Sequence, residues 1–155
     1  MEELKEGDIA PGFTAKDQNG KTVSLSDFKE NDVILFFYPK DDTPGCTAEA
    51  CNFRDNYQSL QQQGYTVLGV STDDENSHTK FANKYQLPFT LIADADKQIV
   101  EAYGVWVEKN MYGKKYMGTA RKTFLISKEG VIRKIISKVD TAASSQQLLD
   151  SLKES

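Results

Sequence analysis

At 155 residues the chain is the size of one domain, and a composition 39% hydrophobic and 27% charged is that of an ordinary soluble globular protein. No apolar stretch approaches the ~18 residues of a bilayer span, and nineteen basic against twenty-three acidic residues, scattered and net −4, argue against a membrane or nucleic-acid partner. The acidic N-terminus, Met1-Glu2-Glu3-Leu4-Lys5-Glu6-Gly7-Asp8, has neither a signal peptide's apolar core nor a transit peptide's Arg-rich bias. A cytoplasmic location is therefore expected, where two cysteines are thiols or redox-active groups rather than a structural staple.

In chain order, residues 7–28 predict a β-rich entry. Phe13-Thr14-Ala15 and Thr22-Val23-Ser24-Leu25 flank Asp17-Gln18-Asn19-Gly20, whose Asn-Gly is a hairpin signal. The unbroken apolar run Val33-Ile34-Leu35-Phe36-Phe37 predicts a central strand buried on both faces. Thr43 and Pro44 mark a helix start, with Thr43 as N-cap, Pro44 at N1 and Cys46 at N3. Ala50, Phe53, Tyr57 and Leu60 recur on one helical face and Gly64 supplies a C-terminal cap, so one helix ending near Gln63 is predicted.

Val67 to Ser71 reads as a second buried strand, Asn76 to Tyr85 as a helix, and Phe89 to Ile92 as a third strand. Asp94-Ala95-Asp96-Lys97 opens a short helix through Tyr103. The aromatic-rich connection from Gly104 to Gly118, holding Trp106, Tyr112 and Tyr116, shows no assignable period. Thr123 to Ile126 and Val131 to Ile136 form an antiparallel pair around Lys128-Glu129-Gly130, and Ser145 to Leu152 a final helix. This order predicts an α/β, thioredoxin-like fold over residues 1–155, with a central mixed β-sheet flanked by helices and an N-terminal β-hairpin extension.

The chemistry concentrates at Cys46. A helix N-terminus leaves N–H groups unpartnered and gathers about half a positive charge. A thiol in the slot where a capping box places Glu receives, as its anion, much of a carboxylate's stabilisation. An arbitrary free cysteine is more often a small buried core residue. Thr43, Pro44 and the open backbone at Gly45 favour the other reading, a thiolate nucleophile.

On an ideal helix the Cα atoms of Cys46 and Cys51 are roughly 8 to 9 Å apart, beyond the ~7 Å limit for a disulfide. Cys51 is either a packing residue beside Ala50 and Phe53 or the thiol that attacks an oxidised Cys46 once the first turns unwind. Thr43 is a cap or a donor toward Cys46 or a bound oxygen. Arg121 is a solvated charge or a guanidinium beside the thiolate. His78, the only histidine, lies in a polar helix start, which disfavours a Cys–His hydrolase. Glu49 is a surface acid or a polar member of the pocket, and Trp106, Tyr112 and Tyr116 read as packing. Cys46, Cys51 and His78 cannot complete a zinc site without carboxylates at unsupported spacing, so no metal is expected.

Tyr38-Pro39-Lys40-Asp41-Asp42-Thr43-Pro44-Gly45-Cys46-Thr47 resembles the Pro-x-x-x-Thr-x-x-Cys signature of peroxiredoxins. The resemblance extends through Gly7 to Phe13, Gly69 to Asp73, Tyr103 to Trp106 and Arg121 to Ile126. Cys51, five residues after Cys46, is similar to the bacterioferritin comigratory protein (Q type) subfamily. The resemblance implies that Cys46 is the peroxidatic cysteine, Cys51 the resolving one, and Pro39, Thr43 and Arg121 the rest of the peroxide pocket. It further implies reduction of hydrogen peroxide and organic hydroperoxides through a Cys46 sulfenic acid, an intrachain disulfide with Cys51, and recycling by thioredoxin or a similar dithiol. No metal, haem or flavin cofactor is required.

The chain has no cysteine near its C-terminus, which argues against a dimer-bridging disulfide, and a monomer is expected. Two other readings stay open, a thiol-disulfide oxidoreductase on the same fold and a non-enzymatic thioredoxin-like binding module. The first is weakened by the lack of a Cys-x-x-Cys and by Lys122 where thioredoxins carry a cis-proline.

Overall fold

Successive side chains of β3 (Asp32–Phe37) point to opposite faces, and both sets are buried: Val33, Leu35 and Phe37 on one face, Ile34 and Phe36 on the other. Such a strand needs cover on both sides and a neighbour on each edge. It has both in the computed structural model, which describes residues 4–153. β3 pairs in parallel with β4 (Tyr65–Ser71) and antiparallel with β8 (Lys122–Ile126).

The expected N-terminal hairpin is β1 (Thr14–Asp17) and β2 (Thr22–Ser24), turned by Gly20 at φ +77. It joins the main sheet, because β1 pairs antiparallel with β5 (Thr90–Ala93), which in turn runs parallel to β4. With β9 (Ile132–Ile136) beside β8, the sheet is seven-stranded and mixed, in the order β2-β1-β5-β4-β3-β8-β9. This is the thioredoxin-like architecture that the element order predicts.

One face of the sheet is covered by α1 (Pro44–Asp55), α2 (Tyr57–Gln62), α3 (Glu75–Tyr85) and α5 (Ser144–Lys153), which contribute Phe53, Leu60, Phe81 and Leu148 to its core. The other is covered by α4 (Gln98–Ala102), through Ile99 and Val100. No helix of the described residues is long and apolar enough to cross a membrane.

One expectation needs correction, and one unassigned stretch acquires a structure. The helix from Pro44 does not run unbroken to Gln63; it breaks at Asn56 (φ −109, ψ 6) into α1 and α2. The Asn56 side-chain amide donates to the Asn52 carbonyl at 2.8 Å and competes with the backbone N–H for that acceptor. The unassigned 104–118 stretch holds a second, two-stranded sheet, β6 (Trp106–Met111) and β7 (Lys114–Thr119).

Gly69 on β4 fixes how α1 sits. A Cβ there would lie 2.8 Å from Phe36 Cζ and 2.9 Å from Leu91 Cδ2, so only glycine leaves room for the Phe36 ring. That ring stacks on Phe53 of α1 with centroids 4.9 Å apart. Truncating such a buried aromatic costs ~3–5 kcal/mol, which makes this contact a principal anchor of the helix.

Candidate active site

α1 starts as its sequence dictates. Thr43 is extended (φ −99, ψ 156), Pro44 takes N1 without needing its missing N–H, and Thr47 N–H closes the first turn on the Thr43 carbonyl at 2.8 Å. Cys46 is therefore in the first turn, only 1% exposed. The Thr43 side chain does not cap the helix; its hydroxyl donates to the Lys40 carbonyl at 2.9 Å.

Sheet register brings the cation. Phe37 at the end of β3 pairs with Lys122 at the start of β8, so the residue before β8 lies beside the loop that leads into α1. That residue is Arg121, 75 positions from Cys46 in the chain, and its Nη2 donates to Cys46 Sγ at 3.3 Å. Its Nη1 donates to Glu49 Oε1 at 2.8 Å. A planar fork thus spans the thiol and a carboxyl on the same helix, a geometry that lysine's single ammonium cannot reproduce. Gly45 lies under this fork, since an added Cβ would be 3.1 Å from Arg121 Nη2.

Glu49 is a buried neighbour of Arg121 and not a surface acid. It is fully buried and its Oε2 has no partner. Burial pushes its carboxyl up to about 7, against the opposing pull of the Arg121 charge and hydrogen bond. For Arg121 burial favours the neutral form, but the Cys46 and Glu49 contacts outweigh it and hold the guanidinium cationic.

The loop between β3 and α1 is clasped from behind by α3. Asp41 accepts from Tyr38 Oη at 2.6 Å and Ser77 Oγ at 2.8 Å, and meets His78 Nδ1 at 2.6 Å. His78 Nε2 lies 2.8 Å from the Ile92 carbonyl. Both ring nitrogens face acceptors, so the doubly protonated imidazolium satisfies both. Burial lowers the tendency of His78 to hold that proton, but the Asp41 bond and charge and the Ile92 carbonyl raise its pKa above the ordinary value. Asp42, at φ +58, accepts from Lys84 Nζ and Tyr85 Oη, both at 2.8 Å. His78 thus belongs to a buried scaffold with Asp41 and is not a base at Cys46. Asp41, Asp73 and His78 converge as metal ligands could, but the histidine's two nitrogens are already committed.

Comparison with known proteins decides the family. Residues 7–135 match the AhpC/TSA family. The chain belongs to it. The Escherichia coli K12 protein named peroxiredoxin Bcp is 46% identical over 154 residues, covering 99% of both chains. A crystal structure of a cysteine mutant of Xylella fastidiosa PrxQ superposes with a TM-score of 0.91 at 31% identity, covering 99% of this chain and 98% of that one. A structure of the Xanthomonas campestris bacterioferritin comigratory protein, described in terms of its alkyl peroxide reduction activity, gives a TM-score of 0.85 at 35% identity, covering 92% and 90%. This chain is a peroxiredoxin of the Q type, and its activity is that of a thiol-dependent peroxidase.

In this peroxiredoxin the structure brings Cys46, Arg121 and Glu49 together, with the Arg121 guanidinium bonded to both and not a solvated charge. Pro39 is half-buried in the bend after β3. Cys51 is partly exposed and, like Cys46, a free thiol on the intact α1. Just beyond it, Asn52 ties the helix to the start of α5: its Nδ2 donates to the Ala142 carbonyl at 3.1 Å, and its Oδ1 accepts from Ser145 N and Oγ at 2.8 and 2.9 Å. Arg54 Nη1 adds a bond to the Tyr85 carbonyl at 2.8 Å. Glu49 carries no signal in the sequence beyond its place one turn after Cys46.

Proposed function

We propose that Cys46 is the peroxidatic cysteine, Cys51 the resolving cysteine, and Arg121, Thr43 and Pro39 the remaining members of the peroxide pocket. The observation that carries this is the Arg121 Nη2 contact with Cys46 Sγ at 3.3 Å in the first turn of α1. A guanidinium at that distance can donate to the reacting sulfur and to the oxygens of a peroxide as charge moves onto them.

The Cys46 thiolate attacks the near oxygen of the peroxide. A sulfur–oxygen bond forms, the O–O bond breaks, and the leaving oxygen takes a proton to become water or an alcohol. Sulfur is oxidised by two electrons to the sulfenic acid. The first turns of α1 then unwind, and Cys51 sulfur attacks Cys46 sulfur, releasing water and closing an intrachain disulfide. Residues from Asn52 onward stay held through Asn52 and Arg54, so the unwinding stops there. An external dithiol such as thioredoxin returns both thiols.

Hydrogen peroxide and alkyl hydroperoxides are the substrates in this reading; the Xanthomonas relative, described for alkyl peroxide reduction, supports the second class. The protein acts as one domain over residues 1–155, as a cytoplasmic monomer. The test is peroxide consumption by the purified chain with thioredoxin, thioredoxin reductase and NADPH. Turnover is expected with peroxide present, and insulin reduction without peroxide is not. The reverse pattern would make the protein a disulfide reductase.

A further inference from the structure

Five large hydrophobic side chains are exposed among the described residues, and four of them, Met111, Tyr112, Tyr116 and Met117, lie on the β6–β7 hairpin. Tyr112 is 100% exposed. It takes φ +54 in a two-residue loop with Gly113 at φ +81, a position suited to Asn or Gly, so a bulky ring is held in solvent with no packing gained within this chain. The packing that the sequence predicts for Tyr112 is absent within the chain.

The hairpin also carries a charge opposite in sign to that of the chain as a whole. Lys109, Lys114 and Lys115 stand against Glu108, a local excess of two positive charges on a chain of net −4, so the remainder carries −6. The Lys115–Glu108 pair is 3.8 Å apart and exposed, which leaves the field of the hairpin cationic. Cross-strand register puts Val107, Lys109, Met111, Lys114, Tyr116 and Gly118 on one face. The hairpin's base borders the site, because β7 ends at Thr119, two residues before Arg121, and Ala120 N–H donates to the Val105 carbonyl at 2.7 Å.

We propose that the β6–β7 hairpin is the docking surface for an acidic dithiol protein that reduces the oxidised Cys46–Cys51 pair. The assignment rests on the roles given to Cys46 and Cys51 above. An acidic partner is repelled by the net negative charge of this chain and steered to the cationic hairpin. Exposed Tyr and Met are the side chains enriched in protein interfaces and supply anchors for an apolar face around the partner's thiols. One partner thiolate attacks a sulfur of the disulfide, forming a mixed disulfide and releasing the other cysteine as thiolate. The second partner thiol then attacks the first partner sulfur, closing the partner's own disulfide and releasing the remaining cysteine of this chain as thiolate. The partner leaves as a disulfide, and its two electrons and two protons restore both thiols here.

The experiment uses the full chain, hydrogen peroxide at saturation and an acidic bacterial thioredoxin kept reduced by its reductase. Tyr112→Asn, whose new residue suits the turn, and the double variant Lys114→Glu, Lys115→Glu are compared with wild type. The KM for thioredoxin is expected to rise about tenfold in each, and to rise with salt in wild type but less in the double variant. Single-turnover oxidation of Cys46 by hydrogen peroxide is expected to be unchanged. An unchanged KM in both variants overturns the docking surface alone. Wild type that turns over with dithiothreitol but not with thioredoxin overturns the reductant and the docking surface together. A wild-type dimer in analytical ultracentrifugation that the variants dissociate reassigns the hairpin to a second copy of this chain. Slower oxidation by a long-chain hydroperoxide with KM for thioredoxin unchanged reassigns it to the substrate.

Discussion

Arg121 holds Cys46 Sγ at 3.3 Å with one nitrogen and the buried Glu49 carboxyl at 2.8 Å with another. The thiol therefore shares its cation with a neighbour whose own charge changes near neutral pH. Substituting Arg121→Lys keeps the charge but cannot serve both partners. The second-order rate constant for Cys46 oxidation by hydrogen peroxide is expected to fall about 10²-fold, the scale for losing one aligned donor to developing charge. A loss under threefold would show that the fork geometry is unimportant.

Glu49 makes folding stability depend on pH in a set direction. Burial raises its folded-state value from 4.5 to about 7, so its contribution is complete below 4.5 and is lost as pH rises through about 7. Glu49→Gln removes that titration. In urea unfolding from pH 5 to 8.5, wild type should lose stability relative to the variant as pH rises, with most of the change below about pH 7 and little above it. A difference that is flat with pH would mean that Glu49 is ionised throughout.

The His78–Asp41 pair gives a second pH signature at a different place. The folded-state pKa of His78 is raised above 6.5, so its stabilising contribution is complete below 6.5 and fades as pH rises through the folded value. His78→Ala leaves Asp41 buried without its cation and should cost ~3–5 kcal/mol at pH 6. The cost should shrink in alkaline buffer. NMR of the single imidazole reads the same transition directly, and a His78 found neutral at pH 6 would remove the scaffold role.

Gly45→Ala separates geometry from stability. Alanine is the better helix former by ~0.5–1 kcal/mol, so the melting temperature should hold or rise. The new Cβ would lie 3.1 Å from Arg121 Nη2 and push the guanidinium off Cys46. Peroxide reactivity is therefore expected to fall several-fold in a protein at least as stable as wild type. Unchanged reactivity would mean that the fork relaxes without cost.

What the sequence made legible follows from local physics. Apolar runs located β3, β4, β5 and β8, Asn19-Gly20 located the first hairpin, and Thr43-Pro44 placed the start of α1. Four features depend on nonlocal or competing contacts and are not legible. Asn56 breaks the long helix through its own side chain, in a stretch whose apolar period runs straight past it. Strands β6 and β7 bury few side chains, so they lack the alternation that marks a strand, and Tyr112-Gly113 is not a typical turn pair. Arg121 reaches Cys46 only through the register of β8 on β3, which no local sequence pattern encodes. Glu49 was hidden for the same reason, because the guanidinium and the burial that define it come from elsewhere in the chain.

The central claim is that Cys46 takes oxygen from the peroxide and Cys51 removes it. It is tested most directly by mass spectrometry of the Cys51→Ser variant after one equivalent of hydrogen peroxide, with dimedone as the trap. A dimedone adduct on Cys46, accumulating where wild type shows instead a disulfide between Cys46 and Cys51, is the expected result. An unmodified Cys46, or a wild type that also accumulates the adduct without forming the disulfide, would contradict it.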